Sequence, residues 1–190
     1  KLGIKTAILY LSPGKLSGTN LCPHASAGCL LACLNTAGMG QFTNVQRARL
    51  IKTKLFLANR SAFASSLAKD IVSHVKRSAR ERMMPAVRLN GTADVAWEVQ
   101  KTETGKTLFE LFPKVRFYDY TKNPMRALKF ARGEMPKNYS LTFSRSEANA
   151  KWVEKMPRTV PIAVVFGTKK GEALPLDYLG RVVIDGDETD

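Results

Sequence analysis

The sequence lacks the features of membrane proteins and of disulfide-stapled proteins. It has no apolar run approaching the roughly 20 residues that span a bilayer, and no signal-peptide pattern. Its 190 residues include three cysteines and two histidines, too few for a framework of disulfides. We therefore expect a soluble cytoplasmic protein with no membrane partner, folded as a single domain over residues 1–190.

Acidic residues are also scarce. The chain has 16 Asp and Glu against 30 Lys and Arg, a formal net charge of +14. Such a charge attracts polyanions and opposes self-association, so we expect a monomer for which nucleic acid is a candidate partner. The densest basic run, at 74–82, has no neighbouring aromatic residues for base stacking. This favours the solvated face of a helix over a nucleic-acid site.

Familiar catalytic and phosphate-binding motifs are missing. The chain has no GxGxxG, no P-loop, and no Ser, His and Asp at a recognised spacing. The dinucleotide-binding, P-loop and serine-hydrolase classes therefore have no supporting pattern.

Short apolar runs of β-forming residues alternate with helix signals. The six predicted strands cover 6–11, 86–90, 115–120, 139–143, 162–166 and 181–185. Several are continuously apolar, which is typical of parallel strands buried on both faces. Alternation with helices predicts βα units, and six strands are fewer than the eight of a full barrel. We predict an α/β fold, an open partial (β/α)6 TIM-like barrel of mainly parallel strands, with a flat doubly wound sheet as the alternative.

Capping signals place the helices between these strands. A Ser or Thr three residues before Glu or Gln forms a capping box, Asn favours the N-cap, and Pro favours the first helical position. Helices are predicted from a capping box at Thr43 and Gln46 to about Asn59, from about Ser61 to Glu81, from Asn123 and Pro124 to Gly133, and from a capping box at Ser144 and Glu147 to about Met156.

Polar residues gather where the predicted strands end. In parallel α/β folds these carboxyl ends face one side, and ligand sites are built there. Because the first cysteine follows the first strand, we expect the cysteines to open onto the same side. Asn123 and Ser144 are also capping candidates, and Asp94 can stabilise its own turn, so a structural role stays open for them. The predicted cofactor-binding residues are Gly91, Thr92, Asp94, Asn123 and Ser144.

All three cysteines lie in one short segment. Cys22, Cys29 and Cys33 have the spacing C-x6-C-x3-C within a predicted cluster-binding loop at 20–37. Cys29 and Cys33 share a face if the segment is helical, and Cys22 can return to them across the loop. Converging thiolates suit a soft metal centre, and a [4Fe–4S] cluster normally takes four protein ligands. Three cysteines therefore predict a [4Fe–4S] cluster with one iron open to another ligand.

Zinc is the alternative metal. His24 could complete a Cys3His set with the three cysteines, which is a chemically sound structural zinc site. Only Pro23 separates Cys22 from His24, and this is closer than the usual spacing of zinc ligand pairs. The pattern favours the cluster and leaves zinc open.

The layout resembles that of the radical S-adenosylmethionine enzymes, in which a cysteine loop after the first strand is followed by βα units. The resemblance implies a partial (β/α)6 barrel whose open iron binds S-adenosylmethionine, with Gly91, Thr92 and Asp94 contacting that cofactor. The motifs agree in part. That superfamily usually has C-x3-C-x2-C with an aromatic residue before the last cysteine, where this chain has Ala32.

The whole chain resembles the gene product 88 family of bacteriophage proteins. The resemblance is carried by NLCPHASAGCLLACLNTAGMG, RLNGTADVAWE, FYDYTKNP, SLTFSRSEAN and the closing VIDGDETD. It implies a viral origin and expression in the cytoplasm of a bacterial host, and it brings no settled activity.

The predicted function is that of an iron–sulfur protein with redox or radical S-adenosylmethionine-type chemistry on a small molecule. Its expected partners are that small molecule or an electron donor. The alternative is a zinc- or cluster-stabilised module that is not an enzyme and binds nucleic acid or a host protein through its basic surface.

Overall fold

The computed structural model describes residues 3–169 and 171–186, so the last four residues of the closing motif lie outside the described part. Helices and strands alternate along most of this part. In chain order the elements are β1 (Ile4–Ile8), α1 (Ala27–Leu31), α2 (Thr43–Ala58), α3 (Arg60–Arg80), β2 (Met84–Arg88), α4 (Leu108–Leu111), β3 (Arg116–Thr121), α5 (Pro124–Ala131), β4 (Tyr139–Ser144), α6 (Ala150–Lys155), β5 (Ile162–Ala163), β6 (Asp177–Tyr178) and β7 (Arg181–Val182).

The first five strands form one parallel sheet in the order β1-β2-β3-β4-β5. Each crossover therefore moves one position in the same direction along the sheet. This confirms the predicted α/β class and the parallel pairing of five of the six predicted strands. The carboxyl ends of these strands lie at one edge of the sheet, as the polar loops predicted.

The predicted sixth strand at 181–185 is confirmed only at Arg181 and Val182, and it does not join the parallel sheet. Its first residues form β7, which pairs antiparallel with β6 in a separate two-stranded ribbon. Leu179 and Gly180 connect the two strands with positive φ angles of 53° and 70°. Two such residues make the type I′ turn that closes a tight hairpin, so this segment pairs locally instead of extending the sheet. The sheet thus has five strands, and the described residues show no closure into a barrel.

The two faces of the sheet are covered differently, which corrects the prediction of burial on both faces. Side chains alternate between faces along a strand. One face is buried along β2, β3 and β4 and packs against α3 and α4 in the main core, whose strand members include Val87, Phe117 and Leu141. The opposite face is only partly covered, and it carries Ile8, Arg88, Tyr118 and Thr142.

The predicted helices are present, but two of their caps differ from the prediction. Asn123 caps α5 as predicted, and its side chain accepts hydrogen bonds from the N–H groups of Met125 and Arg126. The capping box at Thr43 is wrong, since α2 starts after Phe42 without a side-chain cap. The capping box at Ser144 is also wrong. The helix α6 begins six residues later, at Ala150, because Glu147 bonds to another part of the chain.

Candidate metal and ligand site

A cavity of about 490 Å³ lies at the carboxyl ends of the strands, and all three cysteines line it. The opposite wall comes from the segments that follow β2, β3 and β4. It includes Gly91, Thr92, Asp94 and Ser144, four of the five predicted cofactor-binding residues. The predicted meeting of the cysteines and the strand ends in one place is therefore present in the structure.

The cysteines occupy three different local settings. Cys22 lies in a turn, where its thiol donates to the carbonyl of Thr92 with an S···O distance of 3.6 Å. Cys29 lies within α1, and the Sγ of Cys33 accepts a hydrogen bond from the N–H of Asn35 at 3.4 Å. Burial raises the pKa of the Cys22 thiol, against a lowering contact from the Gly14 backbone. The charges of Asp94 and the other two cysteines raise this pKa further.

Glu147 holds the start of α1 in place. Its two carboxylate oxygens accept hydrogen bonds from Ser26 Oγ and from the N–H of Gly28, both at 2.8 Å. Ser26 in turn caps α1 by accepting from the N–H of Cys29 at 3.2 Å. A Cβ on Gly28 would lie 2.8 Å from Glu147 Oε1, so a side chain at this position would displace the carboxylate. The hydrogen bond from Ser26 contributes most to lowering the pKa of Glu147.

Sequence reasoning missed this role of Glu147. The partners are about 120 positions apart along the chain, and no local pattern encodes such a contact. The only available signal was that Ser144 and Glu147 follow a strand on the side where the cysteines were expected.

Arg49 holds the chain just after Cys33. It is buried, and its Nη1 donates to the backbone oxygen of Asn35 at 3.2 Å and to the side-chain oxygen at 3.0 Å. The guanidinium also lies over the ring of Tyr10, 4.6 Å from the centroid. The buried cation therefore links the end of the cysteine segment to the residues that follow β1.

The turn after β2 is closed by its own hydrogen bonds. The Gly91 N–H donates to the carbonyl of Leu9 at 2.9 Å, so this predicted ligand donor already has a partner. A Cβ on Gly91 would lie 2.6 Å from a ring carbon of Tyr10. Thr92 Oγ1 donates to the carbonyl of Leu11 at 2.5 Å, and the Thr92 carbonyl faces Cys22. Gly91 and Thr92 thus shape the cavity wall through close backbone packing.

Asp94 lies in a buried ion-pair network. Its carboxylate accepts from Thr121 Oγ1 at 2.9 Å, from the N–H of Lys122 at 3.0 Å and from Arg126 Nη1 at 2.6 Å. Arg126 also donates to both oxygens of Glu98, at 2.9 and 2.8 Å. The carboxylate of Asp94 lines the cavity, yet its bonds are already satisfied by protein groups. This role is structural, but it differs from the one that the sequence left open, because Asp94 binds the end of β3 and α5 and not its own turn.

A second carboxylate, Asp119, lies deeper in the same network. It is buried and accepts from the N–H of Asn90 at 2.7 Å and from Tyr139 Oη at 3.0 Å. Tyr139 Oη in turn accepts from Arg126 Nη2 at 3.0 Å. Burial raises the pKa of Asp119 to about 7, although the Asn90 N–H, Tyr139 and the two nearby arginines, Arg126 and Arg88, lower it.

The last two predicted cofactor-binding residues lie in different places. Asn123 caps α5 and is not among the residues that line the cavity. Ser144 lines the cavity and accepts a hydrogen bond from Lys122 Nζ at 3.0 Å.

The structure does not assemble the predicted zinc set. His24 is exposed and is not part of the cavity lining. Within residues 3–169 and 171–186, no three His, Cys, Asp or Glu side chains form a group that could hold a metal ion. In the same ranges, no helix is both long enough and apolar enough to cross a membrane.

Comparison with known proteins gives one match. The sequence profile described as Gene product 88 matches residues 2–190. No curated protein and no solved structure matches the chain. Because the profile covers nearly every residue, the chain belongs to the gene product 88 family of bacteriophage proteins.

Proposed function

We propose that the protein binds a [4Fe–4S] cluster through Cys22, Cys29 and Cys33, and that the fourth iron faces the cavity. The observation that carries the proposal is that the only three cysteines of the chain line one cavity at the carboxyl ends of parallel strands. Sites in parallel α/β folds are built at this edge of the sheet. A cluster with three protein thiolates leaves one iron for a small molecule.

A cluster suits these cysteines better than a single zinc ion. A structural zinc site needs four ligands packed around one ion at about 2.0–2.3 Å, and the described residues contain no such group. In a cluster each cysteine binds a different iron, so the sulfurs need not meet at one point. His24, the fourth ligand that zinc would require from this segment, lies outside the cavity lining.

The chemistry we propose is reduction or radical chemistry on a small molecule bound at the open iron. The sequential order of the five strands and the partly covered sheet face support an open partial barrel whose exposed face borders the cavity. S-adenosylmethionine is one candidate for the ligand of the open iron, next to Gly91, Thr92 and Ser144. Direct electron transfer to another small molecule is the second chemistry and needs no organic cofactor.

Metal analysis of protein purified without oxygen tests the proposal. We expect about four irons and four inorganic sulfides per chain, and little zinc. Cys22→Ala, Cys29→Ala and Cys33→Ala should each lose most of the iron. His24→Ala is the matched control from the same segment and should retain it.

Two results would overturn the proposal. An iron content that is unchanged in all three cysteine variants would show that these cysteines are not the ligands. One zinc per chain that is lost in His24→Ala, together with salt-sensitive binding of nucleic acid, would instead establish the zinc-stabilised module.

A further inference from the structure

Three cationic side chains on the cavity wall form no salt bridge in the described part of the chain. Arg88, Lys122 and Arg145 all line the cavity. None of them belongs to a salt bridge within residues 3–169 and 171–186. The wall therefore carries three cations without a salt-bridged carboxylate, although the charge of Arg88 lowers the pKa of Asp119 and the charge of Lys122 lowers the pKa of Glu147.

The two carboxylates on the same wall do not offset this charge. Asp94 is paired with Arg126, and Glu147 is held by Ser26 and the N–H of Gly28. Both acids are thus engaged away from Arg88 and Arg145. An anion entering the cavity would meet Arg88 and Arg145 outside any salt bridge, and it would share Lys122 with Glu147, on whose pKa that lysine already acts.

Arg88 is the best prepared of the three cations. Its guanidinium lies over the ring of Tyr120, 4.6 Å from the centroid, and this contact restrains the position of the group. Its Nε is buried and has no hydrogen-bond partner among the described residues. A buried donor without an acceptor is costly, and a planar guanidinium matches two oxygens of a carboxylate or phosphate.

The other two cations come from neighbouring strand ends. Thr121 pairs with Phe143 in the parallel register of β3 and β4, so Lys122 and Ser144 follow side by side. Lys122 Nζ donates to Ser144 Oγ at 3.0 Å, and Arg145 comes next in the chain. The ends of β2, β3 and β4 therefore each supply one cation to the same cavity.

We propose that the cavity binds a small molecule through an anionic group, a carboxylate or a phosphate, held by Arg88 and Lys122 with Arg145 at the exposed side. The volume of about 490 Å³ falls within the range of roughly 300–1,000 Å³ that is usual for small-molecule sites. The proposal deepens the proposed function and rests on it for one point, that the remainder of the ligand faces the open iron. The anion subsite itself follows from the protein groups alone.

Titration of the full-length protein with inorganic phosphate, and separately with acetate, tests this subsite by NMR. The Nε–H signal of Arg88 should shift with each anion that binds. The anion with the lower dissociation constant shows whether the site prefers a phosphate or a carboxylate. Arg88→Gln and Lys122→Gln should weaken that binding by about tenfold or more, the loss expected for a charge-assisted hydrogen bond. Lys129→Gln is the matched control, because it removes one exposed charge outside the cavity and should leave binding unchanged.

Equal weakening in all three variants would show a general charge effect and overturn the proposal. Absence of any shift at Arg88 with both anions would do the same. Iron content measured on the same samples separates the two proposals. If the protein binds the anion but contains no iron, the anion subsite is supported and the cluster is rejected. If the protein contains the cluster but does not bind the anion, only the subsite is rejected.

Discussion

The two walls of the cavity are built in different ways. The strand-end wall, made by the network of Asn90, Asp94, Asp119 and Arg126, is buried and cross-linked by short hydrogen bonds. The cysteine loop, residues 20–37, has little regular structure, and it leaves Leu31 88% and Leu34 59% exposed. Its fixed points are Leu21, which is buried in the main core, Glu147 at α1, the Thr92 carbonyl at Cys22 and Arg49 after Cys33.

The strand-end wall is the side of the site that is organised in advance. A satisfied buried network is rigid and has no need of a ligand to hold its shape. A loop with few buried contacts opens at low free-energy cost, and a bound group that contacts only the folded form stabilises it. We therefore expect the strand-end wall to determine global stability and the cysteine loop to respond most to cluster binding.

The largest effect should come from breaking the strand-end wall at Arg126. Arg126→Met leaves the carboxylates of Asp94 and Glu98, each with about 11% side-chain exposure, without their cation. Removing one partner of a buried ion pair costs about 3–5 kcal/mol in the free energy of unfolding, measurable by urea denaturation. Arg132→Met, which breaks an exposed pair with Glu134, is the control and should change little. Equal effects of the two substitutions would contradict the assigned role of the network.

The next effect concerns pH and the buried Asp119. Its raised pKa, about 7 against an ordinary value of 3.8, means that the folded protein binds a proton that the unfolded chain has already lost. Stability relative to Asp119→Asn should therefore fall as pH rises, because ionisation in the folded state is costly. The fall should amount to roughly 3 kcal/mol between about pH 5 and pH 8, and should level off above that. Denaturation curves across this range check the prediction, and a constant difference between the two proteins would refute it.

A smaller effect is expected at the turn after β2. In Gly91→Ala the new Cβ would lie 2.6 Å from a ring carbon of Tyr10 and 2.9 Å from Ile8 Cγ2. Overpacking of this kind costs about 1–3 kcal/mol in unfolding free energy. Gly167→Ala, where nothing lies within 4 Å of the added atom, is the matched control and should be close to neutral. An unchanged free energy of unfolding in Gly91→Ala would mean that this turn packs less tightly against Tyr10 and Ile8 than the described contacts imply.

The smallest effect on global stability, and the most local one, should follow the loss of Glu147. Glu147→Ala removes the acceptors that hold Ser26 and the N–H of Gly28, so Cys29 should react several-fold faster with a thiol reagent in the metal-free protein. Loaded protein should lose iron about tenfold more readily, as is typical when a contact supporting a metal ligand is removed. Glu154→Ala removes an exposed acid on α6 and should alter neither rate. Unchanged reactivity of Cys29 in Glu147→Ala would show that α1 is held by other contacts.

Substitution of Gly28 tests the same contact between Glu147 and the start of α1. Gly28→Ala alone should also expose Cys29, because its Cβ would displace Glu147. The same substitution in the Glu147→Ala background should add little, since the two changes disrupt one contact. Additive increases in the reactivity of Cys29 would show that Gly28 and Glu147 act independently.

The parts of this structure that could be predicted are those determined by local sequence. Apolar runs predicted the five strands of the sheet, and polar residues after them predicted where the cavity would lie. The prediction was wrong at Glu147, where a long-range contact prevailed over a local signal, and at 181–185, where a local turn prevailed over pairing with the sheet. The Ser144–Glu147 pattern has the form of a capping box, yet Glu147 is bound to the start of α1. Residues 181–185 have the composition of a core strand, but a two-residue turn pairs their first part with β6.

The strand-end network was beyond local prediction for the same reason. Arg126 is on α5, Glu98 follows the turn after β2, and Tyr139 begins β4. Each residue alone is an ordinary polar side chain, and only the parallel register brings them into contact. The cysteines were easier to recognise, because their chemistry and their close spacing appear in the sequence itself.

Mössbauer spectroscopy of the protein reconstituted with ⁵⁷Fe tests the central claim most directly. With three cysteine ligands and one open iron, about a quarter of the iron should have a distinct signal, and that signal should change when a small nitrogen- or oxygen-donor ligand is added. The remaining iron should be unaffected. Four equivalent irons that do not respond to the ligand, or no cluster signal at all, would contradict the account.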